Sequence, residues 1–200
     1  MNLTSVVIPE SITTIGAYAF YDNVLTSVTI PDSVTILDMG VFEKNQLTSV
    51  ILPSHLTAIY DEAFSRNKLT SVEIPASVES IGSMAFQENQ INTLILHDGL
   101  LEIQDLAFNN NLLTTLVIPD SVTTIGGDAF SYNQLTIVTI GRNVTDIGSN
   151  AFWKYSDTNP NLTTIINKTG RPFRWGDITG GPYVDEMVTG TTSNGIQIIA

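Results

Sequence analysis

The sequence predicts a mainly β solenoid, a stack of 22-residue coils that share one continuous core. Three residue columns predict it, because phenylalanine, leucine or isoleucine, and asparagine each recur at a constant step of 22 residues. The columns are Phe20, Phe42, Phe64, Phe86, Phe108, Phe130 and Phe152; Leu3, Leu25, Leu47, Leu69, Ile91, Leu113 and Leu135; and Asn23, Asn45, Asn67, Asn89, Asn111 and Asn133. Seven units in phase cannot arise by chance.

Each unit contains the signals of two short strands and a tight turn. In the second unit, residues 28–30 alternate apolar, polar, apolar, which is the two-residue period of a strand. Pro31 then ends the strand because it has no N–H to donate. Residues 34–37 indicate a second, shorter strand, and the Ala-Phe pair predicts a tight 3₁₀ turn. A 22-residue unit leaves no room for a helix of ordinary length beside these strands.

The periodic pattern defines two segments. Residues 1–167 form the predicted solenoid of seven full repeats and a partial one, and residues 168–200 form a predicted C-terminal β cap. The step from Phe152 to Leu162 is ten residues, whereas the step from Phe130 to Leu135 is five. We therefore expect a five-residue insertion within 153–161. Ser-Asn-Gly at 193–195 is typical of a hairpin turn within the cap.

One unit reads L-T-x-V-x-I-P-x-S-V-T-x-I-G-x-x-A-F-x-x-N-x, and this pattern resembles the BspA-like leucine-rich repeats of bacterial surface proteins, in particular the Gram-positive type. The resemblance implies a right-handed leucine-rich-repeat solenoid. It also implies a cell-surface or secreted protein whose typical role is adhesion to host or matrix proteins. By analogy with other leucine-rich repeats, the asparagine column is expected to be a structural ladder rather than a row of ligand contacts.

Composition excludes several classes of function. The chain has 200 residues, with 8 basic and 20 acidic side chains and a net charge of −12, so it should repel nucleic acid. No apolar run approaches the roughly 20 residues needed to insert through a bilayer. Cysteine is absent, which removes disulfides, thiolate nucleophiles and cysteine-held metals. The given residues contain no recognisable signal peptide, so we expect the signal of a surface or secreted protein to have been removed or to lie outside them.

Catalytic and metal-binding motifs are also absent from the sequence, which predicts a non-enzymatic protein without cofactor or metal. His55 and His97 lie in different columns two units apart, too far to share a metal ion or a proton relay. A calcium-loop-like opening at Asp157 fails, because Leu162 replaces the required glycine and Lys168 replaces the bidentate glutamate.

The outward side chains between the two buried positions of the first strand form the candidate partner-binding face. They are β-branched and nearly uncharged, which suits a flat platform for a protein partner but equally suits any strand. This column, with the separate aromatic candidate Trp153, consists of Val7, Thr29, Ile51, Glu73, Ile95, Val117, Thr139, Ile166 and Trp153. Trp153 is expected either to be covered by the insertion and cap or to be an exposed hot spot.

Two other interpretations remain open at this point. The chain could be a structural spacer, or an accessory repeat module of a larger surface protein or enzyme. The first unit begins at Leu3 without a preceding cap, which predicts either a boundary within a longer protein or self-association through the uncapped N-terminal coil.

Overall fold

A computed structural model describes residues 2–153, 162–170, 190–191 and 197–199. The predicted insertion after Trp153, the opening of the calcium-like loop at Asp157 and the predicted hairpin turn at 193–195 fall outside these residues, whereas residues 190–191 and 197–199 on the two sides of that turn pair as antiparallel strands. The boundary between solenoid and cap at residue 168 therefore stays a prediction.

The described residues form short β-strands joined by turns and contain no helix, which confirms the mainly β prediction. Most strands in the first half of each coil have three or four residues, and those in the second half have two. The strands are β1 (Thr14–Ile15), β2 (Ile36–Leu37), β3 (Ala58–Ile59), β4 (Ser71–Ile74), β5 (Ser80–Ile81), β6 (Thr93–Leu96), β7 (Glu102–Ile103), β8 (Thr115–Val117), β9 (Thr124–Ile125), β10 (Ile137–Ile140), β11 (Asp146–Ile147), β12 (Thr164–Asn167), β13 (Gly190–Thr191) and β14 (Gln197–Ile199).

Coils of 22 residues stack, and wherever equivalent strands of neighbouring coils pair, they pair in parallel. We number the coils from coil 1 (3–24) to coil 7, which begins at Leu135. The second strands of all seven coils form one continuous sheet in the order β1-β2-β3-β5-β7-β9-β11. Its register advances by one coil at each step, as in the pairing of Ile59 with Ile81. This sheet is one side of a solenoid of about six turns.

The first strands form the other side, which we call the strand face, and their ladder is interrupted. It contains β4-β6 as a two-stranded sheet and β8, β10, β12, β14 and β13 as a five-stranded sheet. In coils 1 to 3 the equivalent residues 6–8, 28–30 and 50–52 make only one bridge, between Thr29 and Ile51. The strand predicted at 28–30 is thus reduced to this bridge. The ladder lengthens with distance from the N-terminal end, as expected where outer strands have fewer neighbours.

The phenylalanine column is the centre of the core. Neighbouring rings stack with centroids 5.2–5.7 Å apart and interplanar angles of 4–18°. The rings from Phe42 to Phe152 are fully buried, whereas Phe20 at the end of the stack is half-buried. Offset stacking of this kind adds to the free energy gained by removing the rings from water.

The Ala-Phe corner is built from separate turns rather than from the expected 3₁₀ segment. In coil 1, Ala19 N donates to Gly16 O at 3.2 Å and Tyr21 N donates to Tyr18 O at 3.1 Å. Tyr18 has a φ of 57°, which places it in the left-handed region. A residue with positive φ at the third position makes the first turn type II, so a continuous 3₁₀ helix cannot form there.

Candidate binding face

The predicted outward column lies on the strand face, and most of its side chains are exposed. Strand alternation explains this arrangement in coil 4, where Val72 and Ile74 point into the core and Glu73 points outward. Thr29 and Glu73 are exposed, whereas Thr139 and Ile166 are half-buried. The four apolar members Val7, Ile51, Ile95 and Val117 are 91%, 80%, 44% and 61% exposed. Such a row of exposed β-branched side chains is available for contact with a partner.

The single charged member of the column is held by the next coil. Oε1 of Glu73 lies 2.8 Å from Nε2 of His97, and both side chains are exposed. His97 occupies the place that proline holds in coils 1 to 4 and 6, and its ring can therefore reach back across one coil. Sequence analysis treated both residues separately and missed this contact. The 24-residue separation between them was the available signal, because it equals one coil plus two strand residues.

A groove lies beside Glu73 between coils 3 and 4. Its volume is about 390 Å³, with Val50, Ile51 and Leu52 on the coil 3 side and Ser71, Glu73 and Pro75 on the coil 4 side. The groove coincides with the edge of the ladder, where β4 begins a two-stranded sheet and residues 50–52 form no strand with it. This volume falls within the range of small-ligand and side-chain pockets.

Trp153 is half-buried rather than fully exposed. Its indole packs edge-on against the phenol of Tyr132, with centroids 6.1 Å apart and planes at 83°. The expectation that the insertion and the cap cover Trp153 involves residues outside the described ranges. Trp153 thus lies at the Ala-Phe corner of coil 7, and the structure does not bring it into the outward column.

The asparagine column connects backbone groups within and between coils. Oδ1 of Asn89 accepts a hydrogen bond from Leu69 N at 3.0 Å, which joins the end of coil 4 to its own beginning. Nδ2 of the same residue donates to Phe86 O at 3.1 Å and to Phe64 O of the preceding coil at 2.9 Å. The same pattern recurs at Asn45, Asn67, Asn111 and Asn133. These five side chains are buried and engaged, and Asn23 in coil 1 is half-buried.

A comparison with protein-family models shows to which family the chain belongs. The model described as the BspA type leucine-rich repeat region matches residues 1–112 and 57–171, with six copies. The chain belongs to the BspA-type leucine-rich repeat family. A comparison with curated protein sequences finds no match.

Solved structures of bacterial repeat proteins share the BspA-type fold of this chain. A leucine-rich repeat protein from Bacteroides ovatus superposes with a TM-score of 0.69 at 23% identity, over 82% of this chain and 43% of that one. The pneumococcal vaccine antigen PcpA superposes with a TM-score of 0.57 at 22% identity, over 82% of this chain and 53% of that one. The chain spans about half the length of these two structures, and the likeness concerns the fold.

A polar corner interrupts the uniform BspA-type repeat in coils 1 to 3, and sequence analysis missed it. Glu43 is only 7% exposed although it occupies a column of surface residue types. Burial and the neighbouring Glu62 carboxylate raise the pKa of Glu43. The Lys44 ammonium lies 3.8 Å from Glu43 and donates to the Tyr21 hydroxyl at 2.5 Å, which raises the pKa of Lys44. At neutral pH the burial of the Glu43 carboxylate and its repulsion by the Glu62 carboxylate destabilise the fold at this corner.

The part of the chain that the structure describes contains no arrangement of side chains typical of a catalytic site. No group of three or more histidine or carboxylate side chains there could hold a metal ion. No helix among the described residues is long and apolar enough to cross a membrane. Leucine-rich repeats generally serve as interaction modules, and the described geometry is compatible with such a repeat module.

Proposed function

We propose that the chain is a non-enzymatic protein-binding module of a bacterial cell-surface or secreted protein, and that adhesion to a host or matrix protein is its role. The observation that carries this proposal is the exposed apolar column on the strand face, above all Ile51, Ile95 and Val117. Membership of the BspA-type family supports a surface location, because such repeats occur mainly in bacterial surface proteins.

Rigidity of the platform supports binding through this face. The strand face is attached to a fully buried phenylalanine stack and, on the opposite side, to a continuous seven-stranded sheet. A side chain fixed by such a framework loses little conformational entropy when a partner covers it. An exposed row of Val and Ile also offers apolar area that a partner can remove from water.

Surface plasmon resonance can test the proposal. The chain is immobilised and a panel of extracellular-matrix and plasma proteins is passed over it. The test variant carries Ile51→Lys, Ile95→Lys and Val117→Lys on the strand face. The matched control carries Ile36→Lys, Thr57→Lys and Leu101→Lys, three exposed positions on the opposite side that give the same change in charge.

We expect saturable binding by the wild-type chain and by the opposite-side control, and its loss in the strand-face variant. Binding that survives in the strand-face variant would contradict the proposed location. An absence of binding across the panel would favour the second candidate, a structural spacer or accessory module. The continuous seven-stranded sheet favours that candidate, because it would keep a rod of this kind stiff.

A further inference from the structure

We propose that the groove between coils 3 and 4 recognises a basic peptide segment of the partner, in which Lys or Arg is flanked by apolar residues. This inference rests on the proposed function, since it names the kind of partner that the strand face accepts. Three observations carry it: the charge pattern of the outward column, the orientation of Glu73 by His97, and the shape of the groove.

The outward column reads apolar, acidic, apolar across coils 3, 4 and 5. Ile51, Glu73 and Ile95 follow one another in that order, and Glu73 is paired in register with Ile95. Adjacent coils are separated by about the inter-strand distance of 4.8 Å, so one peptide segment can contact all three side chains. The complementary ligand therefore presents apolar, cationic and apolar groups in succession.

Glu73 is already oriented for a cation. One carboxylate oxygen lies 2.8 Å from His97, and within the described residues the other oxygen has no hydrogen-bond partner. The side chain is 64% exposed, so an incoming ammonium or guanidinium can reach that oxygen without displacing the histidine. A carboxylate held in place by a neighbour loses less rotamer freedom on binding than a mobile one.

Charge selects a basic rather than an acidic ligand. Among the described residues, Glu73 is the only charged side chain that lines the groove, and the other seven members of the outward column are uncharged. The chain as a whole carries a net charge of −12. An acidic segment would therefore meet repulsion both at the groove and at long range, whereas a basic segment is attracted and steered towards it.

The groove gives the cationic side chain an apolar wall. Val50, Ile51 and Leu52 line the side that faces Glu73, and Ser71 and Pro75 continue the coil 4 side. Lysine and arginine side chains place their aliphatic stems along apolar surfaces while their charged ends remain near water. A volume of about 390 Å³ accommodates such a side chain.

Selection from a phage-displayed library of random peptides on the immobilised wild-type chain tests this inference. The selected sequences are then synthesised with a fluorescent label, and their affinity is measured by anisotropy for wild type, Glu73→Gln and Glu73→Lys. Glu79→Gln is the matched control, since Glu79 is an exposed glutamate whose side chain lies outside the groove. The triple lysine variant of the strand face reports whether a peptide binds that face at all.

We expect the selected peptides to be enriched in Lys or Arg between apolar residues. Glu73→Gln should weaken them about two- to fivefold, the range for one exposed ion pair, Glu73→Lys should weaken them further, and Glu79→Gln should leave the affinity unchanged. Peptides that require the strand face but lack a basic residue, or that bind Glu73→Gln as well as wild type, overturn this inference and leave the proposed function standing. If every selected peptide binds the triple lysine variant as well as wild type, this inference and the proposed location of the binding site on the strand face both fail.

Discussion

Truncation of one central ring in the phenylalanine column is the most direct measure of what stabilises this solenoid. Phe86 is fully buried and stacks on Phe64 at 5.3 Å and on Phe108 at 5.2 Å. Phe86→Ala removes about 150 Å² of buried apolar surface, which at about 25 cal/mol per Å² corresponds to about 4 kcal/mol. The cavity left behind adds to this cost, and we expect a total loss of about 3–5 kcal/mol in the free energy of unfolding.

The same substitution at the end of the column provides the matched control. Phe20 is half-buried and stacks on one neighbour only, Phe42, at 5.3 Å. We therefore expect Phe20→Ala to cost about half as much, roughly 2 kcal/mol. Urea denaturation followed by far-ultraviolet circular dichroism gives both free energies of unfolding. A cost below about 1 kcal/mol for Phe86→Ala, or equal costs at the two positions, would refute the view that the stack carries the core.

Three further predictions concern the asparagine column, the polar corner and the left-handed turns. Asn89→Ala leaves the buried Leu69 N–H without its side-chain acceptor and removes one of the two side-chain donors to Phe64 O, the other being Asn67. It should lower the free energy of unfolding by about 1–3 kcal/mol in the same urea assay, and an unchanged midpoint would contradict the role of the column. Because the pKa of Glu43 is raised in the folded state, the folded chain binds more protons than the unfolded chain, and this contribution to stability is lost as pH rises above the ordinary value of 4.5. The stability of Glu43→Gln relative to wild type should thus increase as pH rises above that value, and a pH-independent difference in thermal midpoint would show that folding does not raise the pKa of Glu43. Asn110 is exposed and has a φ of 56°. Asn110→Val should therefore lower the free energy of unfolding by about 1–2 kcal/mol, whereas Asn110→Gly should leave it nearly unchanged. Equal effects of the two substitutions would exclude backbone strain at this turn.

The sequence is sufficient to predict the features that repeat in every coil. The Phe86 ring and the Asn89 amide each belong to a column with one residue per coil, so a constant step of 22 residues specifies their neighbours directly. Strand alternation likewise predicts that Ile51 and Val117 point outward, because a two-residue period determines which face a side chain occupies.

Features that depend on a single substitution could not be predicted in this way. The contact between Glu73 and His97 requires the loss of a proline and a particular pair of side-chain rotamers in adjacent coils. The burial of Glu43 beside Glu62 depends on how two turns of different composition pack together. The repeat spacing brings Glu73 within reach of position 97, but neither arrangement recurs in other coils, so the column pattern alone does not predict it.

The left-handed residues show a different limit. Each of coils 1 to 6 has positive φ at the same two places, yet only Gly40 among these residues is a glycine, and others, such as Met84 and Leu106, carry bulky side chains. Local propensity would not assign that conformation to either residue. The hydrogen bonds between successive coils impose it, as in the bond from Leu106 N to Gly127 O at 2.9 Å.

The asparagine hydrogen bonds give the stack a direction. Each buried asparagine of the column joins the end of its own coil to the beginning and also reaches the coil before it, so its acceptor in the earlier coil always precedes it in the chain. Three serine hydroxyls donate in the same sense, as Ser77 does to Leu56 O at 2.7 Å. When a polypeptide leaves the ribosome amino terminus first, the carbonyl acceptors of each column asparagine from the second coil onward are therefore already present. Growth can then proceed one turn at a time, and the asparagine joins each new coil to the coil before it.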